Sequence, residues 1–434
     1  MSTAVLQQKM PLGWRVAGLT KYLASLVDYR GATPEKVPSG MFLVTAANIR
    51  DGRIDYEASQ EFVAVEDYEL IMRRGKPSIG DLLFTTEAPL GQAALVDRED
   101  IALAQRVIKM RPKPEYLHSK FLLYWVRSAP FQNELATWAT GSTALGIKAE
   151  KLHKLRVVLP PLSAQKAIAG FLDKETARLD VLVAEKERLL ELLAEKRRAL
   201  ITRAVTHGLN PAAPVRDSGL PWLGQIPAHW PTKRLAFLFR ERDERGEPAL
   251  PLLEVSINTG VVLREFSDDC IEAVAADFNT YKVARKGDIA FNKMRMWQGA
   301  VGMVPTDGLV SPDYTVAAPL GDLSPEYAQL LFRTEAFSAE CCRQSHGIVW
   351  DRLRLYWDGF HDIRVPVPPL DEQRAIVAHI GAETAKLDKL RASAEQTMAL
   401  LKERRAALIV AAVTGKLAVQ PTRESGKRKA ENEN

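Results

Sequence analysis

Cysteine is scarce in this chain of 434 residues, which contains only Cys270, Cys341 and Cys342. None of the three forms a Cys-x-x-Cys pair, so neither a disulfide framework nor a cysteine zinc site is expected. The chain has no run of about 18 uncharged apolar residues, and Met1 to Arg15 lacks the features of a secretory signal. The sequence therefore predicts a reduced, cytoplasmic protein without a membrane span.

Standard catalytic motifs are also missing. The chain has no Gly-x4-Gly-Lys-Ser/Thr phosphate loop, no Gly-x-Gly-x-x-Gly and no His-Glu-x-x-His. The seven histidines fit no standard ligand spacing, so no metal is expected. Ser311-Pro312-Asp313-Tyr314 resembles the Asn-Pro-Pro-Tyr of adenine methyltransferases but lacks the second proline, and a loop turn is the better interpretation. These absences disfavour an enzyme.

A strong excess of one charge is lacking too. The net charge of +5 gives a weak indication of a polyanionic partner. Residues 1–161 carry 21 positive and 17 negative side chains, whereas residues 209–366 carry 17 and 21. Net charge alone therefore does not make the second half a nucleic-acid binder, and the evidence has to be local.

The chain does contain a long internal repeat. Residues 159–209 align without a gap with residues 367–417, at an offset of 208. Fainter matches precede them, such as Gly80-Asp81-Leu82 with Gly287-Asp288-Ile289. A repeat of this kind predicts one structural unit that occurs twice.

Each repeat predicts a long helix. Pro160-Pro161 and Pro368-Pro369 cannot lie inside a helix, and Ser163 and Asp371 follow as candidate N-caps. A helix over 163–206 would be roughly 65 Å long at ~1.5 Å per residue. Apolar residues spaced by three and four predict a helix–helix seam. Its members are Ile168, Leu172, Leu179, Leu182, Leu189, Leu193, Leu200, Ile376, Ile380, Leu387, Leu390, Leu401 and Leu408.

The fold class predicted is α/β (α+β), with short strands and helices in each globular part. The predicted order is a first globular domain (1–161), helix (162–208), a second globular domain (209–366), helix (367–419) and a disordered tail (420–434). If a two-fold axis relates the copies, the helices form an antiparallel coiled coil and the globular domains lie at its opposite ends.

Basic residues cluster near the repeated Gly-Asp pair of both globular domains. In the second domain, the candidate DNA-binding residues are Arg285, Lys286, Asn292, Lys293, Arg295 and Gln298, with Lys282 and Trp297 among them. In the first domain they are Arg73, Arg74 and Lys76. Arg and Lys suit phosphates and guanine edges, and Asn and Gln suit adenine edges. A solvated charged loop is the alternative interpretation.

Two segments carry a resemblance to a known family. Residues 217–230 (DSGLPWLGQIPAHW) are similar to the entry of a target-recognition domain in the specificity subunits of type I restriction–modification systems. Residues 368–376 (PPLDEQRAI) resemble the entry to that family's conserved helix. The first copy departs from the pattern, with Ser163-Ala164 for Asp-Glu and no Trp-Leu-Gly lead-in. The resemblance covers residues 11–417.

The resemblance implies two target-recognition domains in a pseudo-two-fold arrangement, each of which reads half of a split, asymmetric target in double-stranded DNA. It implies two docked methyltransferase (modification) subunits, which hold the S-adenosylmethionine, and allows for restriction subunits. No cofactor is then expected in this chain. Two alternatives stay open: a coiled-coil scaffold whose globular domains bind protein, and a self-sufficient methyltransferase or nuclease.

Overall fold

The structure is a computed structural model that describes residues 10–30, 34–141, 145–264, 278–347 and 353–419. Cys270 and the tail 420–434, predicted to be disordered, lie outside these residues. The chain divides into two compact units: unit 1 comprises residues 1–186 and 396–434, and unit 2 comprises residues 187–395. The division falls inside both long helices, so each unit contains part of each helix. The domain boundaries drawn from the sequence stay a prediction.

Unit 1 is built on a four-stranded antiparallel sheet in the order β2-β10-β7-β8. A smaller sheet, β6-β3-β9, and the pairs β1–β11 and β4–β5 surround it. The strands are β1 (Arg15–Gly18), β2 (Leu23–Asp28), β3 (Met41–Val44), β4 (Ile49–Arg50), β5 (Arg53–Ile54), β6 (Phe62–Val63), β7 (Leu82–Thr85), β8 (Ala93–Leu95), β9 (Ile101–Leu103), β10 (Val107–Pro112) and β11 (Arg156–Leu159). The helices are α1 (Tyr68–Ile71), α2 (Ser119–Arg127) and α3 (Ala129–Trp138).

Unit 2 repeats this plan, with a four-stranded antiparallel sheet in the order β15-β22-β19-β20. Its strands are β12 (Val215–Asp217), β13 (Gln225–Pro227), β14 (Thr232–Arg234), β15 (Phe239–Arg242), β16 (Leu253–Ser256), β17 (Gly260–Leu263), β18 (Lys282–Ala284), β19 (Ile289–Asn292), β20 (Val301–Met303), β21 (Gly308–Val310), β22 (Tyr314–Pro319) and β23 (Arg364–Pro366). Its short helices are α5 (Pro325–Phe332), α6 (Glu335–Gln344) and α7 (Trp357–Asp362). The mixed α/β fold class is therefore confirmed.

The long helices are α4 (Leu162–His207) and α8 (Leu370–Val413), as the repeat predicts. Both begin one residue before the predicted caps, so Ser163 and Asp371 lie in the first turn and the N-cap prediction was wrong. The carboxylate of Asp371 still stands near the positive end of the helix dipole.

A buried glutamine anchors the start of each long helix. Gln165 Nε2 donates to the carbonyl oxygens of Tyr116 and Pro160, and its Oε1 accepts from the backbone N–H of His118. Its repeat, Gln373, makes the same three bonds: its Nε2 donates to the carbonyl oxygens of Asp322 and Pro368, and its Oε1 accepts from the backbone N–H of Ser324. Both side chains are fully buried. The repeated Pro-Pro-Leu-x-x-Gln sequence thus ties a helix to the loop before α2 or α5.

The two long helices pack antiparallel. In unit 1, Arg405 Nε lies 2.8 Å from Asp180 Oδ1, and in the core of that unit Ile168 and Leu172 cluster with Ile409. In unit 2, Arg197 forms an ion pair with Asp388, and Val205 clusters with Ile376. Asp388 and Arg405 are the repeats of Asp180 and Arg197 at the offset of 208. Each ion pair therefore joins the aspartate of one copy to the arginine of the other.

Most residues of the predicted helix–helix seam are buried or half-buried. Seven are buried: Ile168, Leu172, Leu179, Leu193, Ile376, Ile380 and Leu387. Four are half-buried: Leu182, Leu200, Leu401 and Leu408. Leu189 and Leu390 were wrongly assigned, because they are 37% and 56% exposed. A straight helix drifts ~20° per heptad, so a stripe counted strictly in heptads turns out of the contact over this length. None of the described helices has the length and hydrophobicity that a membrane span requires.

Candidate nucleic-acid interface

Unit 2 contains a cleft of about 690 Å³ beside its main sheet. The cleft lies where β19 ends and β22 begins, and the hairpin β16–β17 forms its other wall. Its lining residues are Leu252, Leu253, Glu254, Val255, Ser256, Ile257, Asn258, Arg264, Tyr281, Asn292, Met294, Arg295, Ser311 and Tyr314. Two arginines, one carboxylate, two tyrosines and two amides offer hydrogen-bonding groups and flat faces. Such a surface suits base edges and phosphates.

Two predicted DNA-binding residues, Asn292 and Arg295, line this cleft. The turn after β19 places them: the N–H of Arg295 donates to the carbonyl of Asn292 at 3.0 Å, and Gly299 closes the turn at a φ of 89°. Among the described residues, no carboxylate pairs with the exposed guanidinium of Arg295. Asn292 Oδ1 already accepts from the N–H of Met294 at 2.9 Å, which leaves its amide donors for a ligand.

Arg285 faces carboxylates of its own unit instead. It pairs with Glu247 and, at 3.2 Å, with Asp307. The hydrogen bonds that Arg285 donates to Glu247 and Asp307 raise the pKa of its guanidinium. The hydrogen bonds that Asp307 accepts from the backbone N–H of Lys286 and from Arg285 lower the pKa of its carboxyl. The buried Lys282 similarly lies 3.1 Å from Asp243. The carboxylates that make this half of the chain acidic thus occupy part of the predicted basic cluster.

The other candidates of unit 2 lie outside the lining of the cleft. Lys286 and Gln298 are exposed, and Lys293 is half-buried next to Asn292. The carbonyl of Lys293 accepts from the N–H of Leu355 at 2.9 Å, which fixes the backbone of the turn. These three residues stay predictions, and Lys293 is the nearest of them to the cleft in sequence.

Unit 1 has a smaller cleft, of about 330 Å³, at the equivalent place. It lies where β7 ends and β10 begins, and its lining residues are Pro34, Lys36, Leu43, Thr45, Ala46, Ala47, Glu61, Ala88, Ala104, Gln105 and Arg106. At the offset of 207 that relates Gly80-Asp81 to Gly287-Asp288, Ala88 corresponds to Arg295 and Ala104 to Ser311. The same part of the fold is therefore concave in both units, with different side chains.

The candidates of unit 1 lie beside this cleft. Arg73 and Arg74 line a neighbouring cleft of about 290 Å³, which shares Pro34 with it. Arg74 Nη1 donates to the carbonyls of Asp28 and Arg30, and Lys76 pairs with Glu69. That hydrogen bond raises the pKa of Lys76. All three residues are exposed, and Arg74 and Lys76 have partners within the chain.

Sequence reasoning missed several lining residues, which are Asn258, Arg264, Tyr281, Ser311 and Tyr314 in unit 2 and Lys36, Gln105 and Arg106 in unit 1. Ser311 and Tyr314 were noticed only as a turn, and the N–H of Tyr314 does donate to the carbonyl of Ser311 at 2.9 Å. The signal that could have found them is the repeat offset of 207, which aligns Ser311-Pro312-Asp313 with Ala104-Gln105-Arg106. Two loops at equivalent positions of the two units are stronger candidates for a DNA-binding surface than a single run of basic residues.

The repeated aspartate before β7 and β19 stabilises the frame of each cleft. Asp81 accepts two hydrogen bonds of 2.7 Å from Arg111, and Asp288 accepts one of 2.7 Å from Arg242. Burial raises the pKa of the Asp288 carboxyl, opposed by the hydrogen bonds from Arg285 and Arg242. In the described ranges, no group of three or more His, Cys, Asp or Glu side chains could hold a metal ion.

Comparison with known proteins gives one family. The family model of the type I restriction modification DNA specificity domain matches residues 67–191. The specificity subunit of the type I restriction enzyme EcoKI from Escherichia coli (strain K12) is 22% identical over 453 residues, covering 95% of this chain and 91% of that relative. The putative type I restriction enzyme MjaX specificity subunit from Methanocaldococcus jannaschii is 25% identical, over 51% of this chain and 52% of its own length.

Solved structures share the fold. The HsdS subunit from Thermoanaerobacter tengcongensis matches with a TM-score of 0.52 and 20% identity, covering 95% of this chain and 99% of that chain. A chain from the structural work on complex assembly and conformational transition of the type I restriction–modification system matches with a TM-score of 0.64 and 19% identity, covering 94% and 100%.

Two β-rich units with a pair of packed long helices are the architecture of the solved specificity subunits. The family model, the EcoKI relative and the solved structures together make this chain similar to the specificity subunits of type I restriction–modification systems. Such a subunit is non-catalytic, which excludes the self-sufficient methyltransferase or nuclease.

Proposed function

We propose that this chain reads a bipartite, asymmetric DNA target, with one half-site in contact with the cleft of each unit. The observation that carries the proposal is the occurrence of a polar cleft at the same place in both units, with different lining residues. Duplicated frames with different reading surfaces favour two half-sites of different sequence. From the length of the helices, we expect half-sites about one helical turn, ~34 Å, apart.

In the second half-site, Arg295 is the residue most suited to a base edge. Its guanidinium is exposed at the rim of the cleft and can form two parallel hydrogen bonds to a guanine. Lys293 follows β19 directly and suits a backbone phosphate. Arg73 is the corresponding candidate in unit 1, beside Lys36 and Arg106 of its cleft.

We also propose that two methyltransferase subunits dock on the paired helices. A duplicated chain offers two equivalent surfaces. Leu192 and its repeat Leu400 are 46% and 57% exposed, so each helix presents an apolar side chain at the same repeat position. Charged side chains that include Glu185, Arg188, Glu191 and Glu195 are exposed beside them. S-adenosylmethionine would be bound by the methyltransferase, restriction subunits could join the same complex, and we expect a cytoplasmic location.

The test uses the full complex of this chain with its cognate methyltransferase. Native mass spectrometry should give two methyltransferase copies per chain, and a stable complex with a single copy would contradict the docking proposal. Methylation-sensitive sequencing then gives the target. Arg295→Ala should relax one position of one half-site, at about 1–3 kcal/mol of discrimination. Lys293→Ala should weaken all sequences alike and lower the salt slope by about one.

The matched control is Arg343→Ala, which removes an exposed cation of α6 that is neither in the cleft lining nor among the predicted DNA-binding residues. It should leave the methylated sequence unchanged. If Arg295→Ala and Lys293→Ala leave both affinity and methylated sequence unchanged, the loop after β19 is only a solvated surface and the proposed reading role of this cleft is wrong.

A further inference from the structure

Each unit holds a half-buried arginine that packs against a hairpin. In unit 2 this is Arg333, which directly follows α5. Its Nη2 donates to the carbonyl oxygens of Ile257 at 2.7 Å and Asn258 at 2.8 Å, and its Nη1 donates to that of Val301 at 3.3 Å. The guanidinium therefore joins the turn of the β16–β17 hairpin to strand β20.

The bonded turn is part of the wall of the cleft. Ile257 and Asn258 line the cleft on one side, and Arg333 holds their carbonyl groups from the other. In the described ranges, no carboxylate pairs with Arg333, and burial lowers the pKa of its guanidinium. A half-buried charge with only carbonyl partners is unfavourable unless those hydrogen bonds are kept, so the turn and the arginine constrain each other.

Unit 1 contains a related contact at its β4–β5 hairpin, which follows the cleft residues Thr45, Ala46 and Ala47 in sequence. Arg127 ends α2, and its charge is buried, which lowers its pKa. A Cβ added to Gly52 would lie 2.5 Å from Arg127 Nη1, and one added to Gly260 would lie 2.8 Å from Arg333 Nη1. Both glycines have positive φ, 86° and 77°. The two copies have thus kept an arginine packed against a hairpin glycine, while the residues that line the clefts have changed.

We infer that Arg333 and Arg127 are positioning residues, which fix the hairpin of each unit in the conformation that reads DNA. The inference rests on the proposed function of the clefts. Arginine suits this role because its rigid planar fork bonds the hairpin turn through Nη2 and strand β20 through Nη1 at the same time, which the point-like ammonium of lysine cannot do in the same geometry. Glycine suits the opposite position because a Cβ would meet the guanidinium and because the backbone is left-handed there.

The test replaces each arginine in the full complex and reads the two half-sites separately. Arg333→Met, which keeps an unbranched side chain, and Arg333→Lys, which keeps the charge, should each reduce discrimination in one half-site tenfold or more. The other half-site should be unchanged. Arg127→Met should reduce discrimination in the half-site read by unit 1 and leave the half-site read by unit 2 unchanged. Arg343→Met, at an exposed arginine of α6 that pairs with Glu340, is the control and should leave both half-sites unchanged.

The readout that separates positioning from general stability is the methylated sequence, measured beside the melting temperature of the chain. If Arg333→Met lowers the melting temperature and the rate but leaves both half-sites intact, the arginine is only structural and the inference is overturned. If Arg333→Met does not fold, the half-site discrimination and melting temperatures of Arg333→Lys and Gly260→Ala are compared in the same way. If Arg295→Ala relaxes a half-site and these variants do not, the inference fails while the proposed function stands.

Discussion

Unit 1 places Ala88 and Ala104 where unit 2 places Arg295 and Ser311, yet both sets of residues line a cleft at the end of the same pair of strands. Around the clefts the units agree: the strand order, the buried aspartate and the arginine behind the hairpin all recur. The duplication has kept the buried contacts and changed the exposed side chains. A protein that must read two different half-sites with one frame would diverge in this way.

The units also differ in how they neutralise charge. In unit 1, the buried Lys109 shares Asp81 with Arg111, and burial lowers the pKa of this lysine. In unit 2, Arg285 and Lys282 face carboxylates at the surface. The lining of each cleft has the same charge balance, two basic residues and one acidic residue. The opposite net charges of the two halves therefore arise largely outside the clefts.

The largest effect is expected where both units depend on the helix pair. Leu179 and Leu387 are repeats of one another and are 6% and 7% exposed. Leu387→Asp should place an unpaired charge in the helix contact and lower the free energy of unfolding by several kcal/mol, on the order expected for a buried, unpaired charge. Leu179→Asp should do the same. Urea unfolding followed by circular dichroism measures both.

Leu390→Asp is the control for this comparison, because Leu390 lies on the same helix but is 56% exposed. It should change the free energy of unfolding by less than about 0.5 kcal/mol. Equal effects at Leu387 and Leu390 would contradict the helix contact described here.

A smaller effect is expected at the glutamines that begin the long helices. Gln165→Ala and Gln373→Ala each remove three hydrogen bonds and leave one backbone N–H and two carbonyl groups buried without that partner. Each change should lower stability by roughly 1–3 kcal/mol. The two effects should agree, since the contacts are the same, and Gln396→Ala on an exposed part of α8 should have little effect. A large difference between them would show that the two helix starts are not equivalent.

The frame of this protein could be predicted from its sequence because it depends on patterns within short segments. The prolines before Leu162 and Leu370, the spacing of the apolar residues and the Gly-Asp turns are local signals, and both long helices lie within a residue of the predicted starts. The antiparallel order followed from the repeat. The exposure of Leu189 and Leu390 could not be predicted from the repeat, because it depends on the small difference between the helical and the heptad period.

The clefts could be predicted only in part. Asn292 and Arg295 stood out as polar residues in a basic run. Arg285 belonged to the same run, but its partner Glu247 comes from a distant segment that no local pattern connects to it. Likewise Asn258 and Tyr314 are ordinary residues in sequence and meet only through the fold. Arg333 gave no signal at all, since carbonyl groups are its partners and every residue has one.

The smallest effect is expected at the two ion pairs between the long helices, which provide the finest comparison of the copies. A double-mutant cycle with Asp180→Ala and Arg405→Ala, and a second with Arg197→Ala and Asp388→Ala, measure each coupling energy. Both should lie between about 0.2 and 1 kcal/mol, as exposed pairs do. Arg405 is 21% exposed and Arg197 is 41% exposed, so water screens the first pair less. Its coupling should be the larger of the two, and both should fall in high salt. Equal couplings that do not change with salt would mean that apolar packing alone sets the alignment of the helices, and that the repeated aspartate and arginine contribute only as solvated side chains.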